Sequence, residues 1–366
     1  MYNPFRYGSV VEGDFFTDRV HDLAKSIQII QSANHLILIS PRRYGKTSLI
    51  NKAVAQLKRP TISLNLQLVT SITDLATELL KRILAIYPME KAKYFLKNFR
   101  IAPIISLNPV SNALDVSFAP TLSAKPILED VLTLIEALGK KGKRPLVVFD
   151  EFQEVRSIDK ALDKQLRSII QLHQNVNYVF MGSQESLMRE IFERKKSPFY
   201  HFGTLQTLDL IPYADFEAFL KKGFSPLYKN AASIATTILQ LTKQHPYYTQ
   251  MLAFHYFNAL LHSKRATLQE VILSIIREHD IDYERLWMGL NLKDRELILE
   301  LIYIEKQLRH GKNNNIPNST RYSAYKRLLS KGFLIQGKEG YRVEDPFFTA
   351  WILEQRTTSK PLSVVY

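Results

Sequence analysis

From Asp14 to Leu210, short apolar runs alternate with longer amphipathic ones. This alternation predicts an α/β domain with a mainly parallel sheet. The expected strands are the apolar runs His35–Ile39, Thr61–Leu66, Leu146–Phe149 and Tyr178–Met181. Between the second and third lies IAPIISLNPVSNALDVSF, residues 101–118. Its Asn-Pro and Ser-Asn turn signals between β-rich runs predict a hairpin inserted into the core fold. A helix over Pro126–Leu138 then leads into the basic turn GKKGKRP.

After Pro212 the strand signals stop. Tyr213–Lys222, Ala231–Leu241, Pro246–Leu261 and Thr267–Glu278 show helical periodicity, with Gly, Pro or charged breaks between them. From about Asn291 the pattern changes again. LKDRELILELIYI reads as a helix, RHGKNNNIPNS as a polar loop and TRYSAYKRLLSKG as a second helix. FLIQGKEGYRVED then reads as two short strands around a Lys-Glu-Gly turn. Helix, helix and hairpin at this spacing predict a winged helix. The expected organisation is an α/β domain over 1–211, a helical domain over 212–290, a winged helix over 291–356 and a tail over 357–366.

The formal charge of +14 favours polyanionic partners: nucleic acid, nucleotide phosphates or an anionic membrane surface. The second helix of the expected winged helix carries Arg321, Lys326, Arg327 and Lys331. With Lys338, Arg309 and Lys312 nearby, it suits either contacts to DNA phosphates or packing against protein. The chain has no cysteine, which excludes disulfides and thiolate metal sites and makes a reducing cytoplasm the expected location. No apolar run approaches the ~18 residues that span a bilayer, and the first residues lack the pattern of a signal peptide. Oligomerisation is compatible with all of this.

The stretch LILISPRRYGKTSLINKA, residues 36–53, carries the chemistry. It fits G-x-x-x-x-G-K-[ST] at every fixed position except the first, where Ser40 replaces glycine. Such a loop brings backbone N–H groups onto phosphate oxygens at a helix N-terminus. Its expected phosphate-binding residues are Ser40, Pro41, Arg42, Arg43, Tyr44, Gly45, Lys46, Thr47 and Ser48. Lys46 would place its ammonium between the β- and γ-phosphates, and the Thr47 hydroxyl would ligate Mg²⁺. LVVFDEF, residues 146–152, is an apolar strand ending in two acids. Asp150 would hold the Mg²⁺ shell, and Glu151 would act as general base on the attacking water. YVFMGSQES places Ser183 and Gln184 at the carboxyl edge of another strand. Either could sense the γ-phosphate, and the same residues also make an ordinary strand-to-helix turn.

These motifs resemble the AAA-related P-loop ATPases of the STAND class (signal-transduction ATPases with numerous domains), in their archaeal and bacterial clade. The resemblance runs through NPFRYGSVVEGDFFTDR, PRRYGKTSL, VVFDEFQEV, FMGSQESLM, SPFYHF, KQHPYY and YRVEDPFFTAWI. It implies an ASCE-type core with Glu151 as the catalytic acid residue, a helical lid and a winged helix. It also implies ATP or ADP with Mg²⁺ held between core and lid, the nucleotide controlling their orientation. Phe16 and Arg19 fall where the N-terminal segment borders the adenine pocket, and Pro246 matches the lid proline that packs on the base. Two positions depart from the family pattern. Ser40 stands where glycine is usual, and FYHFGTLQT lacks the arginine commonly found shortly after SPFY.

Overall fold

The computed structural model describes residues 2–11, 13–16, 19–107, 114–305, 318–337 and 340–356. The chain divides into two compact units, Arg19–Asp209 and Met1–Asp18 with Leu210–Tyr366.

In the Arg19–Asp209 unit the elements follow in the order α1 (Val20–Gln31), β1 (Leu36–Ile39), α2 (Lys46–Leu57), β2 (Thr61–Asn65), α3 (Ile72–Ile86), α4 (Met89–Leu96), β3 (Pro103–Leu107), β4 (Leu114–Phe118), α5 (Lys125–Lys140), β5 (Leu146–Asp150), α6 (Val155–Ile158), α7 (Leu162–Ile170), β6 (Asn177–Gly182), α8 (Glu185–Phe192) and β7 (Thr204–Thr207). Five strands form one sheet in the order β2-β5-β6-β1-β7. Every neighbouring pair in it is parallel. Each residue of β1 is buried, as an apolar run covered by helices on both faces should be. The core joins β1, β2, β5 and β6 to α3, α5, α7 and α8.

The four expected strands are present within a residue or two of their predicted ends. The fifth, β7, has the sequence TLQT and no apolar pattern to announce it. It pairs with β1, and its buried Gln206 is satisfied by side-chain bonds: Ser26 Oγ donates to Gln206 Oε1 at 3.0 Å, and Gln206 Nε2 donates to the Asp22 carbonyl at 3.1 Å. Hydrogen bonding here replaces the hydrophobic signal that would have revealed the strand. The expected inserted hairpin is the antiparallel pair β3 and β4, with Pro103 opposite Phe118 and Leu107 opposite Leu114. Val116 is buried and seats this ribbon on α3. The turn signals at 108–113 lie outside the described residues.

The second unit continues with α9 (Tyr213–Phe224), α10 (Ala231–Thr242), α11 (Pro246–His262), α12 (Leu268–Glu278), α13 (Asp280–Met288), α14 (Leu292–Glu305), α15 (Asn318–Ser330), β8 (Leu334–Gly337), β9 (Gly340–Val343) and α16 (Pro346–Arg356). Helix α12 begins with a capping box between Thr267 and Glu270, which satisfies two otherwise orphaned N–H groups. One apolar cluster runs from α9 through α16 and includes Phe5 of the N-terminal segment. Phe5 fills a hollow against Gly223, where a Cβ would lie 2.3 Å from its ring. Strands β8 and β9 pair antiparallel after α15. Lys338, Arg309, Lys312 and the tail 357–366 lie outside the described residues. Among the described residues no helix is long and apolar enough to cross a membrane.

Two of the cations expected to face a polyanion are already committed within this unit. Arg327 Nη2 donates at 2.6 Å to Asp294, whose side chain is fully buried and is also held by Asn291. Arg321 Nη2 donates to both oxygens of Glu300 at 2.9 Å. Lys326 and Lys331 are exposed. Removing Arg327 would strand a buried carboxylate, a costly change in a protein interior. Arg327→Ala is therefore expected to lower the urea unfolding midpoint, whereas Lys326→Ala leaves it unchanged. Equal midpoints for the two variants would show that the Asp294 pair does not hold α14 to α15.

Candidate active site at the carboxyl edge of the sheet

Because the strands of the sheet are parallel, their carboxyl ends share one edge, where ligand crevices of α/β folds lie. The strand order then sets what meets there. Strand β6 stands between β1, which leads into the phosphate-loop motif, and β5, which ends in the two acids. Ser183, just past β6, is thereby placed between the two motifs.

The loop after β1 turns into α2 through Arg43 at φ 63 and Gly45 at φ 89. Gly45 is the N-cap residue of α2, and a left-handed backbone there suits a residue without Cβ. Ser40, at the degenerate first position, is buried, and its hydroxyl donates to the Pro41 carbonyl at 3.2 Å. Lys46 is also buried and donates to the carbonyls of Ser40 and Pro41, each at 3.0 Å. Its ammonium is thus drawn into the loop by backbone oxygens. Ser48 is buried in the first turn of α2, while Arg42 and Arg43 are exposed.

Arg19 is buried and makes three kinds of contact. Its guanidinium donates to the Tyr44 carbonyl at 3.1 Å, to the Asp209 carbonyl at 3.0 Å and to Asp22 at 2.9 Å. Burial lowers its pKa, opposed by the Asp22 hydrogen bond. Arg19 braces the loop backbone at Tyr44, a role that spacing alone does not announce. Phe16 and Pro246 belong to the other unit. There the Phe16 N–H donates to Gly13, and Pro246 opens α11.

At the end of β5 the two acids part. Asp150 accepts from Thr47 Oγ1 at 3.2 Å, joining the acid-bearing strand to the phosphate loop. Glu151 takes a left-handed backbone, φ 52 and ψ 46, and reaches the other way. Its Oε2 accepts from Ser183 Oγ at 2.7 Å and from Gln153 Nε2. Ser183 Oγ in turn lies 3.5 Å from Arg42 Nε, at the outer limit of a hydrogen bond. Behind this turn Phe152 is buried against Phe180, Phe192 and Phe199, with a centroid distance of 4.6 Å to Phe180. Burial raises the Asp150 carboxyl above its ordinary 3.8, and the adjacent Glu151 charge adds to the rise. Lys46 and the Thr47 hydroxyl work against it. The site concentrates negative charge that a cation would relieve.

The edge therefore gathers Ser40, Pro41, Arg42, Lys46, Thr47, Asp150, Glu151 and Ser183 through one chain of contacts. Gln153 is a member that the motif reading passed over. The signal was a glutamine two residues beyond Glu151, next to the apolar Phe152.

The profile of a family described as an ATPase domain predominantly from Archaea matches residues 16–252. A search of curated protein sequences gave no match. Among solved structures, the chain is similar to the Walker-type ATPase Paby2304 of Pyrococcus abyssi, with 18% identity and a TM-score of 0.64 over 93% of this chain and 97% of that one. It is similar also to the Orc1 protein of Aeropyrum pernix, solved in complex with DNA, with 10% identity and a TM-score of 0.50 over 93% of each chain. At these identities the likeness concerns the fold, and it agrees with the parallel five-stranded P-loop sheet. With the profile covering more than half of its length and the loop, the acids and the strand order in place, the chain belongs to the family of ATPase domains found predominantly in Archaea.

Proposed function

We propose that the protein binds Mg-ATP at this edge, hydrolyses it slowly and uses the nucleotide as a conformational switch. The observation that carries this reading is the meeting of Lys46, Thr47, Asp150, Glu151 and Ser183 at the carboxyl ends of β1, β5 and β6. Lys46 donates to loop carbonyls that phosphate oxygens would replace as stronger, charged acceptors. Thr47 and Asp150 supply two hard oxygens 3.2 Å apart, a donor set that fits Mg²⁺ with phosphates and water completing its shell. Bound there, the ion would offset phosphate charge. Glu151 would take the proton of the attacking water.

Slow turnover follows from composition. P-loop enzymes gain about 10³-fold or more from an arginine on the transferring phosphate. The run FYHFGTLQT supplies none, and Arg42 and Arg43 are exposed. In this reading 1–211 is an AAA-like STAND-class ATPase domain, 212–290 a lid, 291–356 a winged helix and 357–366 a tail. Phe16 and Pro246 flank the base, while Arg19 steadies the loop beside it. Nucleotide would shift the arrangement of the units only through differential affinity for two states. We assign the winged helix to protein packing in preference to DNA, because Arg321 and Arg327 already hold Glu300 and Asp294.

Three experiments test these assignments. Lys46→Ala should abolish ATP binding with the fold intact; equal affinity by calorimetry would remove the phosphate-loop role. Glu151→Gln should bind ATP and retain it unhydrolysed, and turnover at the wild-type rate would exclude Glu151 as base. Duplex DNA titrated by fluorescence anisotropy at two salt concentrations should give no salt-dependent binding. A steep salt slope, flattened by Lys326→Ala and Lys331→Ala, would restore the DNA reading.

Asp150 adds a pH test. Its folded-state pKa is raised, so between 3.8 and that raised value the native state holds the proton better than the unfolded chain. Stability is therefore lost as pH rises through this window and stays lost at neutral pH. Asp150→Asn should raise the unfolding midpoint at pH 7, with the gain vanishing below pH 3.8, while Mg-dependent turnover disappears. A variant less stable than wild type at pH 7 would show that the carboxylate is not a stability cost.

A further inference from the structure

Glu151 meets its hydrogen-bond donors asymmetrically. Ser183 Oγ, at 2.7 Å, the more distant Ser183 N–H, at 3.4 Å, and Gln153 Nε2 all approach Oε2. Among the described residues, no donor meets Oε1. Gln153 is itself buried, in the short 3₁₀ turn Phe152–Glu154 that follows Glu151. It is pressed against Gly182, where an added Cβ would lie 2.5 Å from Gln153 Oε1. That oxygen finds no hydrogen-bond donor among the described residues. Burying an amide with one end unsatisfied is costly. The end that is used donates to Glu151.

We propose that Gln153 is a positioning residue for hydrolysis: with Ser183 it pins Oε2 of Glu151, leaving Oε1 as the oxygen that accepts the proton of the attacking water. The proposal rests on the ATPase reading of this site. In the step it serves, water oxygen bonds to the γ-phosphorus as the bond from that phosphorus to the bridging oxygen breaks. The electron pair of the broken bond leaves with ADP, and a water proton passes to Oε1. A general base works only within hydrogen-bond reach and at the right angle. A carboxylate on a freely rotating side chain would spend little time there, whereas one oxygen held by two donors fixes the other. Gly182 is part of the device, because a side chain there would displace Gln153. Ser183 serves as the second donor and lies between Glu151 and Arg42, so a change in the phosphate loop can reach the base through one hydroxyl.

The test uses the full chain and two measurements. The first needs no nucleotide: urea midpoints of wild type, Glu151→Ala, Gln153→Leu and the double variant. Leucine keeps the volume of Gln153 and removes the donor. The double variant should lose less than the sum of the single losses, because both singles break one bond. Additive losses would overturn the proposal, whatever the enzyme does. The second is steady-state ATP hydrolysis. Gln153→Leu should lower kcat by about 10- to 100-fold with KM for ATP unchanged, as expected when a reacting group is misplaced without loss of binding. Ser183→Ala should act in the same direction, and Ser183→Thr, which keeps the hydroxyl, should recover most of the rate. An unchanged kcat in Gln153→Leu, or a fall matched by a rise in KM, overturns the positioning role. Wild-type turnover no greater than that of Glu151→Gln overturns the ATPase reading and this inference with it. Additivity in the nucleotide-free cycle removes the inference alone.

Discussion

Two carboxylates on consecutive residues at the end of a buried strand repel each other, and each is costly to strip of water. The arrangement of the carboxyl edge of the sheet is an answer to that problem. At Glu151 the backbone enters the left-handed region, a conformation that costs a residue with a Cβ roughly 1–2 kcal/mol. The turn sends Asp150 toward Thr47 and Glu151 toward Ser183 and Gln153, so each charge acquires its own donors. Phe152, the next residue, is buried among Phe180, Phe192 and Phe199, and this apolar anchor offsets the backbone strain. The strain at Glu151 is held by packing directly behind it.

Strand order gives the divided charges their separate partners. With β6 between β1 and β5, the phosphate loop and the acids are not adjacent, and the gap is bridged at two heights. Thr47 crosses it to Asp150, and Ser183 fills it between Arg42 and Glu151. Lys46 lies within the loop as the cation that opposes the rise in the Asp150 pKa. Arg19 steadies the loop from behind by bonding the Tyr44 and Asp209 carbonyls. The site is a set of charges, each hydrogen-bonded locally, with Asp150 left above its ordinary pKa by burial and by Glu151.

In the other unit, charge serves packing. The helices from α9 to α16 share one apolar cluster, and Arg327 with the buried Asp294, and Arg321 with Glu300, bind α14 to α15. A net charge of +14 does not say which cations face outward. Arg327 and Arg321 pair with carboxylates distant in the sequence, Asp294 and Glu300, and the net excess is carried by other side chains.

The local code was legible wherever one physical demand dominated. Buried parallel strands need continuous apolar runs, so four strands of the sheet could be read directly. A phosphate loop needs glycine and lysine at fixed spacing, and a paired-acid strand end accompanies it, so Lys46, Thr47, Asp150 and Glu151 stood out. The helices after Pro212 were readable for the same reason. What escaped was settled by partners distant in the chain. Strand β7 is stabilised by Ser26 and Asp22, more than 170 residues earlier, through the hydrogen bonds of Gln206 and not through a hydrophobic face. Arg19 finds its role only when Tyr44 and Asp209 converge on it, and the calling of Arg321 and Arg327 is decided by carboxylates on another helix. Sequence alone determined the loop motif and the paired acids and the strand ends they follow, because those demands are met by neighbouring residues. Tertiary structure decided which oxygen of Glu151 is held and which cations are already spent, because hydrogen bonds and ion pairs depend on positions in space.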